Sequence, residues 1–348
     1  MKVLVTGADG YIGSVLTPCL AERGLEVSGL DAGFYRDGRL YEDGRRRPPV
    51  VTRDIRDIVP EDVAGYDAVV HLAELSNDPL GEHDPAITHA INHQGSLRLA
   101  LACKAAGVRR FVYTSSCSVY GAAPDGSPRD ETSPTAPQTA YAACKLLVER
   151  DVGALADDRF APVFLRNATA FGASPRMRFD IVLNNLAGLA WTRRTIAMTS
   201  DGTPWRPLVH VRDICEAIAL ALAAPAAAVR GAILNVGDDA QNYRVREIAE
   251  IVAAAFPGCR LTFGRPGADN RSYRVSFARI RQVLPAFRCR FGAEQGAREL
   301  HELFRRIAMS EAVFAQPAFT RLAQLQQLRA TGRLDAALRW RGTADAAA

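Results

Sequence analysis

Apolar residues come in short runs along the first half of this chain, and helix-patterned stretches separate them. Residues 3–5 form the first run, and a helical pattern follows from Tyr11 to residue 23. Further runs close at Asp31 or occupy 49–52, 67–72, 110–115 and 162–166, while 86–106 and 137–155 carry helical periodicity. Strands apolar on both faces, alternating with helices, predict a doubly wound parallel α/β sheet. The polar, Gly- and Arg-rich stretch 32–49 reads as a surface loop.

Beyond residue 170 the regularity loosens. Residues 171–179 read as a loop and 180–190 as a helix. The run 208–211, a helix over 212–223 and the run 232–236 read as a return to the sheet, and 245–256 is amphipathic. This predicts a sheet domain over 1–170, completed by about 206–240, and a smaller, discontinuous C-terminal substrate lobe from 171–205 and 241–310. A helical tail, 311–348, places Leu322, Leu325 and Leu328 at helical spacing. Packing against the body is the plain reading of that tail, and a partner surface is the alternative.

The first run ends in Thr6-Gly7-Ala8-Asp9-Gly10-Tyr11-Ile12-Gly13. Strand, glycine turn and helix together are the setting of a dinucleotide fingerprint. Gly7 permits the tight turn, Gly10 lets the backbone approach a pyrophosphate, and Gly13 lets the helix pack on the strand. The helix N-terminus then offers N–H groups and a partial positive charge to phosphates. Asp31, closing the run 27–30, stands where a carboxylate grips the adenosine ribose 2′-hydroxyl and repels a 2′-phosphate, which selects NAD. The expected sheet is therefore of the Rossmann type.

Tyr141 and Lys145 are four apart on a predicted helix and share one face. Ser116 stands just past the carboxyl end of the run 110–115, where open α/β sheets place their ligands. Ser, Tyr and Lys behind a glycine-rich first turn form a hydride-transfer constellation. Lys145 and an oxidised nicotinamide would lower the pKa of the Tyr141 phenol. The phenolate could then take a proton from a sugar hydroxyl while hydride passes to the cofactor. Ser116 would hydrogen-bond the same oxygen.

With these residues the chain resembles the extended short-chain dehydrogenase/reductase family, in the branch acting on nucleotide-sugars. The resemblance runs from residue 1 to about 305 and rests on TGADGYIG, Asp31, Asp54-Ile55, HLAE at 71–74, Asn92, SSCSVYG at 115–121, YAACK at 141–145, PLVHVRD at 207–213 and NRSY at 270–273. It implies that Tyr11 and Ile12 join the glycines at the cofactor, that Asp54 and Ile55 flank the adenine, and that Leu72, Ala73 and Glu74 line the cofactor. Asn92 would hold a structural water or a strand end, and Lys145 the nicotinamide ribose as well. Arg206 and Arg271 match positions that clamp the nucleotide diphosphate, where bidentate pairing favours arginine. Ser118, Asn167, Thr169 and Asn185 are implied on the substrate side. Arg176, Arg178 and Asp180 fall where family members keep a substrate loop, in a run similar to one found in members acting on less common sugars, nucleotide-heptoses included. The resemblance also implies a homodimer through helices spanning roughly 92–106 and 141–155, with Leu97, Leu101, Leu146 and Leu147 at the contact.

Within that family the residues after the catalytic Ser sort the reactions. Sugar 4,6-dehydratases carry Asp-Glu there, and uronic-acid decarboxylases carry a Glu. Cys117 and Ser118 supply no carboxyl group, and a small residue followed by a hydroxyl is similar to the pattern of sugar 4-epimerases. Buried Cys is usually inert packing, which is the expectation for Cys117. His210 reads as a structural histidine on its strand. Three departures bear on the substrate: Glu74 replaces a usual small residue, so that its carboxylate could project toward the sugar; Thr169 replaces an Asn; Asn167 replaces an aromatic.

Composition narrows the classes. At 348 residues, about half apolar and with a formal charge of +5, the chain reads as globular, and nothing points to nucleic acid. Seven scattered cysteines without a C-x-x-C pair predict free thiols, no metal, and a reducing compartment. The first run begins too early for a signal peptide, and no apolar run reaches a membrane span, so a cytoplasmic protein is expected. Three functions follow in order: an NAD-dependent nucleotide-sugar epimerase working through a 4-keto sugar, a net nucleotide-sugar oxidoreductase, and a non-catalytic NAD sensor.

Overall fold

A computed structural model describes residues 1–76, 84–123, 126–265 and 272–342. Its strands, in chain order, begin with β1 (Lys2–Thr6), β2 (Glu26–Asp31), β3 (Val50–Thr52), β4 (Ala68–His71) and β5 (Arg110–Ser116). They continue with β6 (Pro128–Arg129), β7 (Ala161–Asn167), β8 (Thr169–Phe171), β9 (Thr195–Ala197) and β10 (Trp205–His210). The last are β11 (Ala232–Val236), β12 (Asn242–Arg244), β13 (Arg260–Thr262) and β14 (Arg274–Val275).

Seven of these form one parallel sheet in the order β11-β7-β5-β4-β1-β2-β3. The alternation along β1 shows why both faces are buried. Val3 and Val5 join one core cluster, with Leu16 and Ile218, and Leu4 joins the other, with Leu99 and Phe111. The chain winds outward from β1 through β2 to β3, then crosses back to lay β4 on the other side of β1. The strand order therefore reverses between β1 and β4, which is where sheets of this kind open a ligand crevice.

The run expected to rejoin the sheet at 208–211 does not. The chain leaves the sheet at Ala168, whose N–H bonds to Val236, and continues as β8. β10 pairs with β8 and β12 in a separate three-stranded sheet, and only β11 completes the main one. The helix Val211–Ala223 still packs back against β5 and β7.

The expected helix over 86–106 is a helical run of three parts, Pro85–Thr88, a π-helical His89–Gly95, and Ser96–Ala105. The tail is helical at Glu311–Phe314 and Arg321–Ala330, then turns back in a bridge between Leu334 and Trp340. Its Leu325, Leu328, Leu334 and Leu338 are buried in the cluster that holds Leu4, so it packs on the sheet domain. All seven cysteines are free thiols. Among the described residues no helix is long and apolar enough to cross a membrane, and no cluster of metal-ligating side chains is present.

Candidate active site

A cavity of about 640 Å³ opens at the carboxyl ends of β1, β4 and β5. The glycine turn forms its floor. Gly7 adopts φ +74°, and a Cβ there would lie 2.8 Å from Ala73 N and Leu72 C, so only glycine lets the ends of β1 and β4 approach so closely. A Cβ on Gly13 would lie 2.8 Å from Ala8 Cα, which is why the helix Gly13–Glu22 starts with glycine against the turn. Gly7, Gly10, Tyr11, Ile12 and Gly13 all line the cavity. The Tyr11 hydroxyl donates to Gly172 O (2.7 Å) and accepts from Asn184 Nδ2 (3.3 Å), and burial pushes its pKa far up. Tyr11 thus joins the turn to the second lobe.

Asp31 ends β2 on the cavity wall. Its Oδ2 accepts from Asp9 N (3.0 Å) and its Oδ1 from Gly33 N (2.7 Å). Burial and the nearby Asp9 charge push it up to about 6. Asp54 and Ile55 line the same end, with Asp54 held by Arg56 and Arg339. A glycine floor with no room for side chains and an acid at the end of β2 suit a dinucleotide.

At the other end, Ser116 closes β5 and pairs in register with Asn167 of β7. The Ser116 oxygen accepts from Ser118 N (3.1 Å) and meets Ser118 Oγ at 2.9 Å. Thr139 caps the helix Ala140–Gly153 by accepting from Ala142 N (3.2 Å), so Tyr141 and Lys145 enter the cavity from its first turns. Lys145 Nζ lies 5.3 Å from the Tyr141 ring centre and 4.6 Å from that of Tyr113. It donates to Thr114 O (2.5 Å) and forms an ion pair with Glu74. Burial pulls the Lys145 ammonium down, but the charges of Glu74, Tyr141 and Glu149 outweigh it and hold its pKa above the ordinary lysine value. Glu74 does not project toward the sugar side. Its Oε1 accepts from the Tyr113 hydroxyl (2.5 Å) and its carboxylate faces Lys145, because a buried carboxylate takes the nearest cation. Leu72 and Ala73 line the wall beside it.

The residues expected on the substrate side divide. Ser118, Asn167, Thr169, Arg178 and Arg206 line the cavity. Asn167 Oδ1 is buried with no hydrogen-bond partner, an acceptor turned to no protein donor. Arg178 is spent on Asp180 (2.9 and 3.2 Å) and Ser76 (both 3.1 Å). Three expected site residues lie off the wall, Arg176 and Asn185 from the substrate set and Asn92 from the cofactor set. Arg176 turns to Asp9 (3.5 Å) and Arg36 O beside the Asp31 end, drawn by the acids there. Asn185 donates to Phe179 O (2.8 Å) within its own segment. Asn92 accepts from Leu75 N (2.8 Å) and donates to Leu75 O (3.0 Å), fixing the segment after β4. Arg271 lies outside the described residues.

This arrangement has counterparts among known proteins. Residues 3–237 match the NAD dependent epimerase/dehydratase family, about two thirds of the chain. The chain belongs to that family. It is therefore a member of the extended short-chain dehydrogenases/reductases, in their nucleotide-sugar epimerase/dehydratase branch. It is similar to a UDP-glucose 4-epimerase of Corynebacterium glutamicum, 31% identical over 292 residues, covering 76% of this chain and 82% of that one. It is also similar to a dTDP-glucose 4,6-dehydratase of Streptomyces niveus, 30% identical over 324 residues and covering 88% and 93%. Among solved structures, MoeE5 in complex with UDP-glucuronic acid and NAD superposes with a TM-score of 0.76 at 28% identity, over 88% of this chain and 99% of that one. The Thermus thermophilus UDP-glucose 4-epimerase complex with NAD gives 0.73 at 27%, over 88% and 99%.

In this family member two neighbours of the site are structural. Cys117 Sγ donates to Arg166 O (3.1 Å) behind β5, and burial pushes its thiol far up. His210 stacks on Phe291 at 4.5 Å, pairs with Glu299 at 2.9 Å and is fully buried away from the cavity.

The sequence reading missed one wall of the cavity. Phe34 and Tyr35, in the stretch read as a surface loop, line it, and so do Thr320, Arg321 and Leu322 of the tail. Two adjacent aromatics directly after Asp31 were the available signal for the first pair. The leucine spacing of the tail shows that it packs, but no local pattern shows against what.

Proposed function

We propose that this chain is an NAD-dependent nucleotide-sugar epimerase that works through a transient 4-keto sugar with NAD kept bound. The observation that carries this reading is the pairing of Ser116, Tyr141 and Lys145 at one end of the cavity with Cys117 and Ser118 in the two positions after Ser116. The four carboxylates on the wall are Asp31 and Asp54 at the adenosine end, Glu74 held by Lys145, and Asp180 held by Arg178. No acid is left on the described wall for elimination across C5 and C6. The 4-epimerases among the relatives favour the same reading.

NAD would lie from Asp31 and Asp54 across the glycine turn to Tyr141 and Lys145, and it would accept and return hydride at C4. The Tyr141 oxygen takes the proton of the 4-hydroxyl and gives it back after the ring turns over. Ser116 holds that oxygen in line, with Ser118 fixing the Ser116 rotamer. Lys145 keeps a positive charge beside the phenol. Asn167 Oδ1 accepts from a sugar hydroxyl, Thr169 lies beside it, and Arg206 pairs with the substrate diphosphate. Residues 1–170 with about 206–240 would hold the cofactor, and 171–205 with 241–310 the nucleotide-sugar.

The test is a mass-spectrometric survey of small molecules released from the purified protein, followed by assay of nucleotide-sugars. The expected result is bound NAD and a product differing from its substrate only at C4. Stoichiometric NADH release would replace this reading with the net oxidoreductase, and loss of water from the sugar would replace it with a dehydratase.

A further inference from the structure

The tail helix Arg321–Ala330 points its first turn at the cavity. Arg321 is only 3% exposed and lies on the cavity wall. Its guanidinium stacks on the Tyr35 ring, 4.0 Å from the ring centre, and makes no hydrogen bond within the described residues. Two carboxylates act on it from nearby: Asp180, already bonded to Arg178 through both oxygens and to the Arg321 backbone N–H (3.2 Å), and Asp31, whose oxygens accept from Asp9 N and Gly33 N. Burial and the like charge of Arg178 push the Arg321 guanidinium down to about 10. A buried cation whose N–H edge faces a cavity without a protein acceptor is costly unless an anion completes it. A guanidinium stacked on an aromatic ring keeps that edge free and fixed in plane.

The tail around it is firmly anchored to the sheet domain. Gln324 donates to Phe34 O (3.2 Å), Arg56 to Ala337 O (2.7 Å), and Trp340 Nε1 to Ala32 O (2.7 Å). Arg339 pairs with Asp54 (3.1 Å) and Asp57. Each of these anchors lies close in sequence to the ends of β2 and β3, so Arg321 is held at the Asp31 end of the cavity that the glycine turn also lines.

We infer that Arg321 is a diphosphate-binding residue, supplied by the C-terminal tail to the cavity that the glycine turn lines. The inference rests on the reading of this cavity as a site for NAD and a nucleotide-sugar. Both ligands carry a diphosphate, and the anion could come from either. The helix N-terminus behind Arg321 adds a partial positive charge in the same direction.

The experiment compares wild type with Arg321→Gln by calorimetric titration, using NAD on stripped protein and UDP on NAD-loaded protein. Loss of one charge-assisted pair to phosphate should weaken binding by about tenfold or more. The loss falls in the NAD arm if the dinucleotide supplies the anion and in the UDP arm if the sugar nucleotide does. Unchanged affinity in both arms overturns the inference. If Arg321→Gln does not fold, Arg321→Lys carries the test. It keeps the charge but not the planar fork, so it should still lose affinity in one arm, and wild-type affinity in both would overturn the inference. Wild-type protein that binds neither NAD nor UDP would instead fail the proposed function.

Discussion

Lys145 and Glu74 form a buried ion pair about one helical turn from Tyr141, with the Lys145 ammonium also lying over the Tyr113 ring. The groups around that ammonium are Glu74 and Tyr113 from the strand side, Tyr141 and Glu149 from its own helix, and neutral His71, which burial pushes down to about 3. Glu74 therefore screens the positive field that Tyr141 feels. In Glu74→Gln that screen is gone. Wherever Lys145 keeps its proton against the burial that Glu74 had offset, its unscreened charge favours the phenolate. The acid limb of the kcat/KM profile should move to lower pH by about one unit. An unmoved limb would show that Glu74 serves packing alone.

Leu101 is 49% exposed on the helix Ser96–Ala105, and Leu97 lies one turn before it. The neighbouring helix Ala140–Gly153 carries Leu146 and Leu147, both half-buried, and His93, in the segment that leads into Ser96–Ala105, bonds to Asp151 of that neighbouring helix at 2.7 Å. We expect a second copy to cover this face, giving a two-fold four-helix contact. Full burial of a leucine contributes about 1.5–3 kcal/mol, so covering the exposed half of Leu101 contributes about half of that, and two-fold symmetry doubles it. Leu101→Asp should then halve the mass measured by light scattering at micromolar concentration. A wild-type mass of one chain would end the expectation.

The fold was legible in the sequence because parallel strands buried on both faces leave an unbroken apolar run, as at Val69-Val70 and Phe111-Val112. The cavity positions of Ser116, Tyr141 and Lys145, the proposed catalytic residues, were legible because each sits at a fixed offset from a strand end or helix start. What was hidden depends on contacts between distant segments. Whether Glu74 faces the sugar or Lys145 is decided by Tyr113 and the helix that follows residue 139. Arg178 and Arg176 look alike in sequence, yet Asp180 and Ser76 hold one at the cavity while Asp9 draws the other off it. The tail wall is the extreme case, since Arg321 meets Tyr35 across 286 residues.

Asp31 provides a pH handle on the cofactor. Its carboxyl stands at about 6, raised from 3.8 by burial and the Asp9 charge. A carboxylate accepts the ribose 2′-hydroxyl better than a carboxylic acid does, so NAD affinity should fall as the pH drops through about 6. The slope should approach about tenfold per pH unit, the limit for one linked proton. Asp31→Ala should bind NAD more weakly at pH 8 and lose that slope. In the ligand-free chain the same raised pKa means that this group's contribution to folding stability falls as pH rises from about 4 to about 6. A flat NAD affinity between pH 8 and pH 5, or tighter binding of NADP, would remove Asp31 from the ribose.

Tyr141 carries the decisive prediction. Tyr141→Phe removes the ionisable proton and keeps the ring beside Lys145, so the fold and the bound NAD should survive. Loss of a general base costs roughly 10²–10⁴-fold in rate, and the fall should appear in kcat with little change in KM. The neighbouring residues set the control. Ser116→Ala leaves the phenol in place and should cost less than Tyr141→Phe. Substrate deuterated at C4 should keep its label in the wild-type product, because the hydride that leaves C4 returns to C4. Exchange of that label with solvent would rule out direct return. Near wild-type turnover by Tyr141→Phe would refute the proton-transfer assignment and leave Tyr273 as the phenol to test, because of the others on the described wall Tyr11 is bonded to Gly172 and Tyr35 lies under Arg321.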